Sequence, residues 1–159
     1  FKKAKNKYEA ADNNMYIQIP EGGTFIENYA FENCNNLTSI TIPNSVTFIG
    51  CGVFRNCSNL TSITISEGVT SIWNCSFYYC NSLTSIIIPE GVTSIGNSAF
   101  YNCNSLTSIK IPESVISIGD YVFRYCNSLT SITIPKKFKK KIKNIFFGVE
   151  LSKLELIYT

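Results

Sequence analysis

Seven cysteines are the residues in this chain whose type and spacing could do chemistry. Five form a series, Cys34, Cys57, Cys80, Cys103 and Cys126, each 23 residues after the last. They open the heptapeptides CNNLTSI, CSNLTSI and, three times, CNSLTSI. Cysteine at regular spacing suggests a metal site, a redox pair or a nucleophile. Ligation would need grouped donors such as C-x-x-C or Cys with His, and the chain has no C-x-x-C and no histidine at all. A thiolate nucleophile would need a base or an electropositive setting, and the common Cys–His arrangement is unavailable. The five cysteines therefore read as a ladder of small buried apolar side chains. Neighbouring coils about 5 Å apart would allow bridging, but an odd number cannot all pair, and Cys51 and Cys75 fall outside the series. A reduced interior is expected, with no cofactor and no metal.

The elements that would hold such a ladder follow from the same period. A phenylalanine column runs Phe31, Phe54, Phe77, Phe100, Phe123 and Phe146, with Tyr8 one period earlier. Leucine recurs at Leu37, Leu60, Leu83, Leu106 and Leu129, and isoleucine in two columns that begin at Ile17 and Ile19. Within the unit LTSIIIPEGVTSIGNSAFYNC (83–103), TSIII alternates with period two and predicts a short strand with its isoleucines inward. PEG predicts a turn, VTSIG a second extended piece, and NSAFYNC about one helical turn capped by Asn or Ser. One unit cannot bury its apolar residues alone, whereas stacked units join each column into a continuous stripe. The expected fold is a repeat solenoid with a parallel β-sheet on one face and short extended and helical-turn segments elsewhere.

The period lies in the leucine-rich-repeat range of roughly 20–29 residues, and Leu83-x-x-Ile86-x-Ile88 matches the L-x-x-L-x-L core. One departure is Gly91, Ser45 or Ser114, followed by valine, at the usual Asn/Cys position. The wording LTSITIP…VTSIG…AF…C resembles the BspA-like subclass of leucine-rich repeats over roughly residues 8–156. The resemblance implies a surface or secreted adhesin-type protein of bacteria or mucosal protists, binding host or neighbouring-cell components. It implies no fixed set of binding residues.

The chain reads as one solenoid: an N-terminal cap over 1–16, repeats over 17–135, and a degenerate C-terminal repeat or cap over 136–159. In the last segment Leu151-x-x-Leu154-x-Leu156 restores the strand pattern, and Phe138, Ile142, Ile145 and Phe146 are spaced for a short amphipathic helix. Lysines gather at both ends, at 2, 3, 5 and 7 and again at 136, 137, 139, 140, 141 and 143, but a net charge of +3 is too small to mark a nucleic-acid binder. No apolar run approaches the ~20 residues that span a bilayer, and the start at Phe1 reads as a processed form or a fragment.

A solenoid core repeats while its surface need not, so departures at exposed positions point to function. Along the strands Ile87 and Lys110 interrupt a Ser/Thr face. Beside the phenylalanine column run Glu32, Arg55, Tyr78, Tyr101 and Arg124, flanked by Tyr79 and Tyr125, while Trp73 replaces the glycine of positions 50, 96 and 119. These residue types are enriched at interface hot spots. Arg55, Trp73, Tyr78, Tyr79, Tyr101, Arg124, Tyr125, Ile87 and Lys110 are therefore the candidate partner-binding residues. Glu21, Glu67, Glu90 and Glu113 line the turns without the oxygen-rich loop that Ca²⁺ needs. Sequons at Asn36, Asn56, Asn59 and Asn74 would permit glycosylation of a secreted chain.

No acid/base or nucleophile constellation appears, so the chain reads as a non-enzymatic binding module. Its expected role is cell-surface adhesion or recognition of a protein or glycan, with end-to-end packing onto further repeats open to it. The alternative is a cytoplasmic structural scaffold within a larger assembly, which seven free thiols would suit.

Overall fold

A computed structural model of the protein describes residues 15–19 and 22–159. The cap expected over 1–16 lies, but for Met15 and Tyr16, outside the described residues, as do Tyr8, the N-terminal lysines, Pro20 and Glu21. Eleven short strands occur among the described residues: β1 (Met15–Gln18), β2 (Phe25–Ile26), β3 (Leu37–Thr41), β4 (Phe48–Ile49), β5 (Ser62–Thr64), β6 (Ser71–Ile72), β7 (Ser94–Ile95), β8 (Ser108–Lys110), β9 (Ser117–Ile118), β10 (Ser131–Ile134) and β11 (Glu155–Tyr158). All pairings are parallel, and between the regular repeats residues meet partners one period away: Ile40 faces Ile63, and Ile49 faces Ile72. At the C-terminal end the register slips by one, so that Ile132 faces Leu156 and not Leu154, and Leu151 lies in a 3-10 turn before the strand. The result is a right-through stack of coils, with VTSIG-type segments forming a five-stranded sheet β2-β4-β6-β7-β9.

The LTSI-type segments do not form one continuous sheet. They form two, β1-β3-β5 and β11-β10-β8, separated by the coil that contains Ser85–Ile88. The strand expected at TSIII is absent although its side chains alternate as expected, Ile86 and Ile88 buried and Ile87 81% exposed. Burial decides which side chains point inward, while the ladder depends separately on the distance between coils. Here that distance is long: Thr84 N–H reaches Thr61 O at 3.4 Å and Thr107 N–H reaches Thr84 O at 3.5 Å, against 2.9 Å for Thr61 to Thr38 and for Thr130 to Thr107.

The third segment of each coil is a chain of turns instead of the expected helical turn. Two positions per coil have left-handed backbone, occupied by Tyr29, Gly52, Cys75, Ser98 and Tyr121 and by Asn33, Asn56, Tyr79, Asn102 and Tyr125. A right-handed helix cannot pass through them. The N–H groups here alternate in direction. Those of Gly52, Phe54 and Asn56 donate to Asn74, Ser76 and Tyr78 of the next coil, while those of Arg55 and Cys57 donate back to Gly52 and Phe54 of their own. Half the donors a helix would use internally thus tie one coil to the next.

Between the sheets and the turns lies the core. The six phenylalanines form a continuous stack, with successive ring centroids 5.2–5.5 Å apart and planes within 13°. Stacked aromatic pairs add about 0.5–1.5 kcal/mol each beyond burial. At the C-terminal end Lys136–Lys141 is a 3-10 helix and Ile142–Ile145 one α-helical turn, α1. Phe138, Ile142, Ile145 and Phe146 are buried there, and β11 then pairs with β10.

One close approach explains a glycine column. A Cβ at Gly50, Gly96 or Gly119 would lie 2.3–2.4 Å from the Oδ1 of Asn28, Asn74 or Asn97 in the preceding coil. Those side chains cannot withdraw freely, because Asn28, Asn74 and Asn97 accept the N–H of Cys51, Asn97 and Asp120. Trp73 interrupts the column where the preceding coil carries Cys51 in place of asparagine.

Two stability changes follow. Phe77, wholly buried between Phe54 and Phe100, is expected to cost about 3–5 kcal/mol as Phe77→Ala. Gly96→Ala, driven against both the Oδ1 and the backbone nitrogen of Asn74, is expected to cost about 1–3 kcal/mol. Urea denaturation of each variant measures both; a Gly96→Ala midpoint equal to wild type would contradict the close-approach account.

Candidate functional site

Four of the five column cysteines are interior packing, while Cys34, in the first of these coils, is only half-buried, contrary to expectation. Cys57, Cys80, Cys103 and Cys126 are buried beside the phenylalanine stack, and all seven cysteines are free thiols. Each of the four points its Sγ–H at the carbonyl of a phenylalanine one coil back: Cys57 to Phe31, Cys80 to Phe54, Cys103 to Phe77 and Cys126 to Phe100, at 3.0–3.2 Å. Burial pushes the thiols of Cys80 and Cys126 up to about 12, and those of Cys57 and Cys103 well above their ordinary value, assisted at both by neighbouring thiols of the column. Such groups stay protonated and inert near neutrality. Among the described residues no group of three His, Cys, Asp or Glu side chains is placed to hold a metal ion.

The surface departures fall in four places. On the strand face Ile87 stands alone, and the ammonium of Lys110 pairs with Glu90 at 3.1 Å; an exposed pair of this kind contributes little. Beside β1, β3 and β5 a shallow cleft of about 690 Å³ opens next to Ser66, which replaces the proline found at positions 43, 89, 112 and 135. Trp73, expected near the tyrosines, instead packs its ring on Phe48 at 5.3 Å. Phe48 is paired with Phe25 in the five-stranded sheet, and all three rings are half-exposed. Neither Phe25 nor Phe48 stood out in the sequence, although both replace the serine of positions 71, 94 and 117.

The turn shoulder is where most candidates converge. Tyr78 stacks on Tyr101 at 4.6 Å, Tyr79 lies 4.8 Å from Tyr78 and 5.8 Å from Tyr101, and Tyr125 meets Tyr101 edge-on at 5.4 Å. An arginine closes each end. The Arg55 guanidinium sits over Tyr78 at 5.4 Å and pairs with Glu32 at 3.4 Å. That of Arg124 lies 4.8–5.8 Å from the rings of Tyr125, Phe147, Tyr121 and Tyr101. Tyr121 and Phe147 were missed in the sequence. Phe147 stands one period after Arg124, so its column was legible; Tyr121 shares its column with Gly52, Cys75 and Ser98, which hides it.

Backbone conformation marks the same shoulder. Tyr79, Tyr121 and Tyr125 have φ of 58–61°, a left-handed region that disfavours large L-residues. Other coils place Asn33, Asn56 and Asn102 at the position of Tyr79 and Tyr125, and asparagine tolerates it better. The same two positions are left-handed in the other coils, Tyr29 included, so the conformation belongs to the repeat and these coils place tyrosines on it. The Tyr78 hydroxyl is shifted upward, first by burial and then by the neighbouring Tyr101 and Tyr79 hydroxyls.

Comparison with known proteins places this arrangement in context. The sequence matches the BspA type leucine-rich repeat region, in six copies, over residues 4–112 and 93–158. No match is found among curated protein sequences. The structure is similar to the leucine-rich repeat protein TpLRR of T. pallidum, with TM-score 0.74 and 25% identity over 92% of this chain and 74% of that one. It is also similar to a leucine-rich cell surface protein of Faecalibacterium prausnitzii A2-165, with TM-score 0.74 and 36% identity over 84% of this chain and 36% of that one. A leucine-rich repeat protein of Bacteroides ovatus ATCC 8483 matches with TM-score 0.69 and 28% identity, over 89% and 44%. The chain thus spans about three quarters of the first of these and less than half of the other two.

The cysteine environment has a measurable consequence. Unfolded, these thiols ionise near their ordinary value of 9, whereas folded Cys80 and Cys126 hold their protons to about 12. Their contribution to stability is complete below about pH 9 and is lost as pH rises from there toward 12. The urea midpoint is expected to fall over that range, and to fall less steeply in Cys80→Ala. At neutral pH an alkylating reagent should leave Cys57, Cys80, Cys103 and Cys126 unmodified until the chain is unfolded; rapid labelling of Cys103 in the native state would contradict the packing role.

Proposed function

The chain belongs to the BspA-type leucine-rich-repeat family, and on that premise we propose that it is a non-enzymatic recognition module of a cell surface, holding a protein ligand on its aromatic shoulder. The observation that carries this reading is the cluster of Tyr78, Tyr79, Tyr101 and Tyr125 between Arg55 and Arg124. Tyrosine and arginine dominate hot spots because each offers a large apolar area and a polar tip at low entropic cost. The rigid coil beneath supplies preorganisation, so little ordering remains to oppose binding. A glycan fits less well, because stacking sugars need open ring faces and Tyr78 and Tyr101 cover one another. Residues 136–159 serve as the C-terminal cap, 1–16 as the N-terminal one, and the repeats between carry the binding surface. The cell-surface relative from Faecalibacterium supports the location. Among the described residues no helix is long and apolar enough to cross a membrane.

A second reading, an internal scaffold within a larger assembly, is favoured by the seven free thiols. A membrane-impermeant biotin reagent applied to intact source cells separates the two. Labelling before lysis is the expected result, and labelling only after lysis would replace the surface reading with the scaffold. For the site, Tyr78→Ala combined with Tyr101→Ala is expected to weaken binding to immobilised host-matrix proteins by more than about tenfold while the thermal transition is retained. Unchanged binding would remove the shoulder from the function.

A further inference from the structure

We propose that Arg124 and the rings around it form a carboxylate-binding site for an acidic segment of a partner polypeptide. This rests on the shoulder being a recognition surface and names the chemistry it recognises.

Arg124 differs from the other arginine, and where Lys137 and Lys139 each lie over one ring with no carboxylate partner among the described residues, it meets four. Arg55 pairs with Glu32, Lys110 with Glu90 and Lys153 with Glu150, whereas Arg124 has no carboxylate partner among the described residues. Asp120, the acid nearest to it in sequence, forms no ion pair with it. Four aromatic rings surround the guanidinium instead. One Nη donates to the Tyr125 hydroxyl at 2.9 Å, and Nε, like that of Arg55, is buried with no acceptor. The other Nη donors have no protein acceptor among the described residues. Cation–π contact holds the charge in place without neutralising it.

The site is also preorganised. The Arg124 N–H donates to Tyr121 O within its own coil, and its carbonyl accepts the Asn102 N–H of the coil before. The side chain therefore leaves a fixed backbone and is oriented by Tyr125. A guanidinium presents its N–H groups in a planar fork that matches a carboxylate.

The choice of a polypeptide over an acidic sugar follows from the rings. Their faces are taken by one another and by arginine, leaving edges and hydroxyls outward. Edges and hydroxyls suit a backbone and side chains better than the face of a pyranose. Along the solenoid the next residues toward Arg55 are Tyr101, Tyr79 and Tyr78, a track of apolar edge for the residues beside the acid.

The test uses the whole chain and a dye-labelled, end-blocked peptide alternating glutamate and tyrosine, followed by fluorescence anisotropy at low salt. A second peptide replaces every glutamate by glutamine. Wild type is expected to bind the glutamate peptide at least about tenfold more tightly than the glutamine peptide, the scale of a hydrogen-bonded charge pair. Arg124→Gln should abolish that preference and Arg124→Lys should keep only part of it, with thermal transitions showing that both fold. Equal binding of the two peptides by wild type, or a preference that survives Arg124→Gln, overturns the assignment. Displacement of the glutamate peptide by oligosialic acid at lower concentration than by free peptide overturns the polypeptide choice. Failure of the underlying reading looks different. If the Tyr78→Ala, Tyr101→Ala variant binds both peptides as wild type does, the shoulder itself falls; if it loses both while wild type shows no glutamate preference, only the carboxylate assignment falls.

Discussion

Everything in this structure depends on the exchange of backbone hydrogen bonds between coils one period apart. In the turn segment alternate N–H groups reach into the next coil, as Gly52, Phe54 and Asn56 do toward Asn74, Ser76 and Tyr78. A coil that held its donors to itself would close into a helical turn and lose its neighbour. Buried backbone groups must find partners, so the spacing between coils is set by these bonds, and the phenylalanine rings then stack at the distance the backbone imposes. Stability is distributed over nearest-neighbour contacts of this kind, the expected behaviour of a one-dimensional stack.

That spacing leaves little freedom inside and much outside. Inside, several columns keep one residue type: cysteine beneath a phenylalanine carbonyl, glycine beneath an asparagine amide. Where Cys51 stands in place of that asparagine, Trp73 stands in place of the glycine. Outside, successive coils bring the same position to within stacking distance, so a substitution repeated in two or three coils creates a patch. Tyr78 and Tyr101 form one such patch, Phe25, Phe48 and Trp73 another. The period that builds the core is thus the device that assembles a surface.

The shoulder combines features that oppose stability and favour recognition. Tyr79, Tyr121 and Tyr125 occupy left-handed positions that asparagine or glycine would fill at lower cost, and Arg124 keeps a charge that no carboxylate offsets among the described residues. Residues selected only for packing would remove both. An aromatic, cationic patch of this kind is coherent with the binding role proposed for it.

The sequence by itself determined the period, the columns and hence which side chains lie inside. Phe31 through Phe146, the leucines and the isoleucines are buried as their spacing requires, because inward and outward positions follow from periodicity alone. It also brought Arg55, Tyr78, Tyr79, Tyr101, Arg124 and Tyr125 to one surface, since residues one period apart must be neighbours in a stack. Tertiary structure decided the rest. Whether Ser85–Ile88 joins a ladder depends on a few tenths of an ångström between coils, which no pattern records. Whether NSAFYNC is a helix depends on where each N–H finds its acceptor, and the acceptors lie in the next coil. Trp73 lies against Phe48, a contact between columns rather than within one. Arg124 is left without a carboxylate for the same reason: ion pairing depends on side-chain reach across the surface, and the repeat specifies only where each side chain begins.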